Sequence, residues 1–189
     1  PNSLFPMNGA GHGIGGDVDK VFSTLAAFQE AYLLGSRQPL LAHEDFDGDA
    51  SRWQPTDVAA WKVVKKEGRS FYSLIKKRSD YEPKVRSPYN YSLLKDVEVG
   101  DFVLDVDLKS THEPYGHQDL CLFFGYQDAS HFYYVHMGRK ADAHANSIFL
   151  VDGKPRVSIA QERTEGTDWS RGWHRARIIR QIEKNCLPF

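Results

Sequence analysis

Paired runs of alternating side chains, each closed by a short turn, recur along most of this chain and point it toward antiparallel β-structure. "DLCLFFGYQ", the turn "DAS" and "HFYYVHMG" read as one hairpin. "WKVVKKEG" and "SFYSLIKKR" read as another around Gly68, and "NSIFLVDG" with "KPRVSIAQER" as a third, joined near Asp152-Gly153. "DFVLDVDLKST" alternates cleanly, "SPYNYSLLKD" precedes it, and "WHRARIIRQIE" supplies the last strand. Helical spacing occurs once, over residues 17 to 34, where Val18, Val21, Phe22, Leu25, Ala26 and Phe28 fall near one face and Asp17 stands at a capping position. Many short strands with one helix predict an all-β sandwich or barrel. We divide the chain into residues 1–38, an irregular Gly-rich tail plus the helix, and residues 39–189, the β-domain.

Composition bounds the function. At 189 residues and a formal net charge of −1, the chain offers no broad field for nucleic acid or an anionic membrane. Arg171, His174, Arg175, Arg177 and Arg180 gather on the last strand, but they alternate and lack a series of stacking aromatics, which suits a solvated face. No apolar run approaches the ~18 residues that cross a bilayer, and no basic-then-apolar leader is visible. The spacing of Gly11, Gly13 and Gly16 has no strand before it, so it reads as tail and not as a dinucleotide loop. The two cysteines, Cys121 in an apolar strand and Cys186 near the end, do not fix a disulfide; Cys121 reads as a small core residue.

The strand "HFYYVHMG" poses the functional question, because both of its phases carry rings. Val135 and Met137 are the better core residues by polarity, which leaves Phe132, Tyr134 and His136 on the other phase. In "DFVLDVDLKS", Phe102, Leu104, Val106 and Leu108 share the core phase, and Asp105 and Asp107 share the opposite one. If the three strands are antiparallel neighbours, Asp105, Asp107, Phe123, Tyr134 and His136 meet on one sheet face. Acids, imidazole and rings together suit a sugar, whose hydroxyls need polar partners and whose ring stacks on aromatics. The alternative is a face covered by loops or by the helix.

Around that face, His117 and Asp119 follow the loop "STHEPYGHQD", which could overhang the groove, and Arg139, Lys140, His144 and Asn146 occupy the rim loop "GRKADAHANS". Asp105 or Asp107 is the candidate carboxylate, with His136 and Tyr134 for proton transfer or positioning. Phe123, Tyr134, His117, Arg139, Lys140, His144 and Asn146 are the candidate substrate contacts. Each has a plain structural reading beside the functional one: solvated strand acids, a packed histidine, a charged solvent loop. Asp45, Asp47 and Asp49 in "EDFDGDAS" resemble the start of an oxygen-rich Ca²⁺ loop without its later Glu, so Asp45 and Asp47 are candidate ligands for a structural Ca²⁺; no other cofactor is expected. The eight histidines contain no H-E-x-x-H pair, so no zinc motif is visible.

The run from "LLAHEDFDG" through "DFVLDVDLKS", "HQDLCLFFGYQDASHFYYVHMG" and "NSIFLVDGKPRVSI" to "WHRARIIR" resembles bacterial members of the concanavalin A-like lectin/glucanase superfamily, in particular the 3-keto-disaccharide hydrolase-like group. The resemblance covers roughly residues 40 to 180 and implies a two-sheet antiparallel jelly-roll sandwich with a concave, carbohydrate-facing sheet. It implies a carbohydrate ligand, binding and cleavage of a glycosidic bond or else lectin-like binding without turnover, and secretion or a periplasmic location. Where laminarinase-type relatives carry a Glu-x-Asp-x-(x)-Glu strand, this chain reads Asp105-Val106-Asp107-Leu108-Lys109. Side chains two apart on a strand lie ~6 to 7 Å apart, near the ~5.5 Å of a retaining glycosidase. Such folds continue past the "WHRARIIR" strand, so the sequence predicts a C-terminus lacking its last strands, and marginal stability with it.

Overall fold

A computed structural model describes residues 39–182 apart from 77, 170 and 171. The expected helix over 17 to 34, the Gly-rich tail, Arg171 and Cys186 lie outside the described residues. Among the described residues the fold is all-β, with antiparallel sheets and one short 3-10 turn, Val58–Ala60. No helix among the described residues is long and apolar enough to cross a membrane. The chain divides into two units, residues 44–99 with 105–177, and residues 1–43 with 100–104 and 178–189.

The larger unit holds the three hairpins expected from the alternation. Strands β1 (Trp53–Pro55) and β4 (Ser92–Leu94) pair with each other. Strands β2 (Trp61–Lys66) and β3 (Arg69–Leu74) form a hairpin whose turn residues Glu67 and Gly68 both take positive φ, 53° and 75°. Two left-handed residues match the right-handed twist of a two-residue hairpin. Strands β6 (Asp119–Asp128), β7 (His131–Gly138), β8 (Ser147–Asp152) and β9 (Val157–Ser158) form a four-stranded sheet in that order. Strands β5 (Phe102–Leu108) and β10 (His174–Arg180) pair with each other, and each runs from one unit into the other. Within the smaller unit, Arg180 Nη1 donates to the Gly100 carbonyl at 2.9 Å and the Ile182 N–H to Asp101 Oδ1 at 2.6 Å.

The four-stranded sheet corrects the expected facing of β7. Burial follows the phase of Phe132, Tyr134, His136 and Gly138, while Val135 and Met137 stay partly exposed. Phe132, Tyr134, Phe149 and Val151 form the core cluster, with Val85, Cys121 and Phe123 packed against it. The rings of Phe123, Tyr134 and Phe149 stack across three strands at centroid separations of 5.5 and 5.2 Å. Tyr91 lies over Phe123 at 5.0 Å and over Phe132 at 6.0 Å. The segment carrying Val85 and Tyr91 therefore covers this face, and the alternative of a covered face is the one observed. Rings of this size remove more apolar surface from water than Val135 and Met137 do, which is why they take the covered side.

Candidate functional site

The β6–β7 register builds the one cluster of metal-ligand-type side chains found among the described residues. Asp119 and Cys121 share a phase on β6, and Cys121 pairs directly with His136 on β7. Asp119 pairs with Gly138, which has no side chain to stand between the carboxylate and the imidazole; a Cβ there would lie 3.3 Å from His136 Cε1. Asp119 Oδ2 sits 3.3 Å from His136 Nε2. The ligand atoms of Asp119, Cys121 and His136 all fall within 4.8 Å of one another. The Asp119 side chain is 44% exposed and that of His136 is 9% exposed, so the pair straddles the boundary between solvent and core.

The backbone of the rim loop orients the imidazole. Asn146 N–H donates to His136 Nδ1 at 3.3 Å, which makes Nδ1 an acceptor and places the proton of the neutral ring on Nε2, toward Asp119. Asn146 is itself held by its side chain: Nδ2 donates to the Thr164 carbonyl and Oγ1 at 2.8 and 2.9 Å, and Oδ1 accepts from Thr167 Oγ1 at 3.2 Å. Backbone bonds fix the remainder of the loop, Arg139 N–H to Gln118 O and Ala141 N–H to Glu165 O, both 2.8 Å. Gln118, buried, turns its amide back to Ser110 Oγ at 2.6 Å and so closes the loop that carries His117.

Tyr134 is fully buried, and its hydroxyl accepts from Arg156 Nη1 at 2.9 Å. The guanidinium lies 5.0 Å over the Phe149 ring and donates from Nη2 to the His144 carbonyl at 2.9 Å. Burial pushes the Tyr134 hydroxyl well above its ordinary range, so it is a neutral hydrogen-bonding group and not a proton donor near neutral pH. Burial likewise raises the Cys121 thiol, and the Asp119 charge adds to that, with Arg156 opposing. Cys121 in this state is protonated and a poor nucleophile.

The structure separates residues that the sequence reading had grouped. Strand β5 pairs with β10 and not with β6, so Asp105 and Asp107 do not share a sheet with Tyr134 and His136. Arg177 clasps Asp105 through Nε and Nη2 at 2.6 and 2.7 Å. Arg175 clasps Asp107 at 2.9 and 3.3 Å, and Arg69 stands 3.6 Å away. Arg175 first, then Arg69, holds the Asp107 carboxyl below its ordinary value, the opposite of what a general acid needs. Asp45 Oδ1 accepts the Asp47 N–H at 3.0 Å and Asp49 Oδ1 accepts the Ser51 N–H at 2.8 Å, so two of these acids serve local turns.

Phe123 is a packing residue of the core. His117, Lys140 and His144 are exposed, Arg139 is partly exposed, and Asn146 is buried. Asp119, Cys121 and Arg156 are not among the site residues expected from the sequence, although Asp119 follows the same loop as His117 and Cys121 is expected in the core. A signal for the first two exists: Asp-x-Cys on one strand phase with His at the facing position across a hairpin. Arg156 had none, because its position depends on how β9 joins the sheet. No protein-family model, curated protein or solved structure matches this chain.

Proposed function

We propose that this chain is a carbohydrate-binding β-domain whose ligand sits at the Asp119 end of the four-stranded sheet. The observation that carries the reading is the placement of Asp119. An exposed carboxylate stands where the buried aromatic ladder ends, beside His136. His117 and His144 are exposed on the loops next to β6 and β7, and Tyr115, 49% exposed, lies in the loop that leads into β6. Sugar hydroxyls pair with such carboxylate and imidazole groups. Tyr134 and His136 support those groups from below. A jelly-roll arrangement of the sheets, and a secreted or periplasmic setting, belong to the same proposal.

Cleavage of a glycosidic bond is the second reading, favoured by the Asp119–His136 approach. A usual glycosidase needs two carboxyl groups at about 5.5 Å, or ~6.5–9.5 Å apart. Asp105 and Asp107 are each engaged by an arginine, which leaves Asp119 as the carboxylate of this reading and puts binding ahead of turnover. The test is a panel of glycans and 3-keto-glycosides offered to the full chain, with bound ligand and released sugar both measured. Binding without product, weakened in Asp119→Asn, supports the conclusion. Product formation abolished by Asp119→Asn moves it to the second reading, and absence of both removes the sugar proposal.

A further inference from the structure

The Asp119–Cys121–His136 cluster carries an inference that goes beyond sugar binding and does not rest on it. One soft thiolate, one imidazole and one carboxylate, drawn from two neighbouring paired strands, match the donor types of a zinc site with an open position. The spacing fits as well. Oxygen and nitrogen ligands bound at ~2.0–2.1 Å in a tetrahedron lie roughly 3.3 Å apart, and Asp119 Oδ2 and His136 Nε2 are 3.3 Å apart. The thiol completes a set whose ligand atoms all lie within 4.8 Å of one another. The Asp119 side chain is 44% exposed, so this ligand of the set faces solvent.

We propose that Asp119, Cys121 and His136 form a three-ligand site for a zinc-type divalent transition metal, with its open position toward solvent. On loading, Cys121 Sγ binds as thiolate and its proton leaves to water. The ring proton on His136 leaves Nε2 for the metal to bind there, and the neutral imidazole takes a proton on Nδ1. That proton then confronts the Asn146 N–H, which now donates to Nδ1 at 3.3 Å. Metal binding and this hydrogen bond exclude each other, so loading releases the Asn146 amide and couples the site to the rim loop of residues 139–146. Hard cations such as Ca²⁺ are poor occupants, because a thiolate and an imidazole replace the oxygens they require.

The experiment titrates the metal-free full chain with Co²⁺ alone, then displaces it with Zn²⁺. The expected result is one equivalent bound with a thiolate-to-cobalt absorption in the near ultraviolet, bleached by Zn²⁺. The chain has a second cysteine, Cys186, which serves as the control. The absorption disappears in Cys121→Ser and persists in Cys186→Ser. Asp119→Asn, an exposed change that leaves the core intact, weakens cobalt binding by at least about tenfold. Zinc also speeds hydrogen exchange at the Asn146 amide. Absence of the absorption in the folded parent chain, or its survival in Cys121→Ser, overturns the site. Unchanged Asn146 exchange in a zinc-loaded chain overturns the coupling.

Discussion

The backbone N–H of Asn146 donates to Nδ1 of His136 across 3.3 Å, so a loop residue sets the tautomer of a strand residue ten positions earlier. Asn146 adopts φ of 51°, a left-handed conformation that asparagine tolerates better than most residues. Its side chain is tied to Thr164 and Thr167, and the loop cannot shift without breaking those bonds.

Asn146→Ala loses both the side-chain bonds and the favoured backbone. We expect a loss of about 2–3 kcal/mol in urea unfolding. Asn146→Gly loses the bonds but keeps the left-handed backbone, and falls by less. Equal stability of the two variants would show that the backbone conformation contributes nothing.

The Tyr134–Arg156 bond is buried at one end and half-buried at the other. Tyr134→Phe strands a guanidinium N–H, and Arg156→Met strands a hydroxyl; each costs about 1–3 kcal/mol. The double variant strands neither and falls short of the sum by roughly 1 kcal/mol. Strict additivity in chemical denaturation would deny the coupling.

Asp57, which caps the 3-10 turn, is one source of acid sensitivity. Its carboxylate accepts the Asp80 N–H at 2.9 Å, the Ala59 N–H at 3.0 Å and Lys76 Nζ at 3.0 Å. The Asp80 bond first, then Lys76, lowers its pKa below the ordinary 3.8. A depressed folded-state value adds stability that is fully present above the unfolded-chain pKa of about 4, and is lost as pH falls through the folded value. Asp57→Asn is therefore less stable than the parent at pH 7, and the gap in melting temperature closes at strongly acid pH. A gap that persists there assigns the role to shape and not to charge.

Gly166 passes so close to the rim loop that a Cβ on it would stand 2.1 Å from the Arg139 carbonyl oxygen. Both partners are backbone, so the segments must part. Gly166→Ala costs on the order of 3 kcal/mol and loosens the Asn146 anchor, read as faster amide exchange over residues 139–146.

Asp105 and Asp107 serve as arginine partners on the exposed face of β5 and β10. Asp105→Asn and Asp107→Asn leave glycan binding unchanged, whereas Asp119→Asn weakens it. A panel in which Asp107→Asn alone abolishes binding restores the β5 face as the site.

How much of this was readable beforehand differs by level. Each hairpin pairs as expected, because alternation and turn residues act within about twenty residues of chain. The solvated character of Arg175 and Arg177 was equally local: charge on an alternating phase finds water or a counter-ion. The neighbour of β5 was not local. Its partner β10 lies some seventy residues on, and nothing in "DFVLDVDL" names it.

Alternation, charge and turn chemistry alone determined that this chain forms antiparallel β-hairpins, since those preferences belong to a few adjacent residues. Which face of β7 is buried was decided only when Val85 and Tyr91 came to lie on it, because both phases are apolar enough to be covered. The meeting of Asp119, Cys121 and His136 was likewise tertiary. A cross-strand register brings side chains fifteen to seventeen positions apart to within 4.8 Å, a distance that no spacing rule along a single strand encodes.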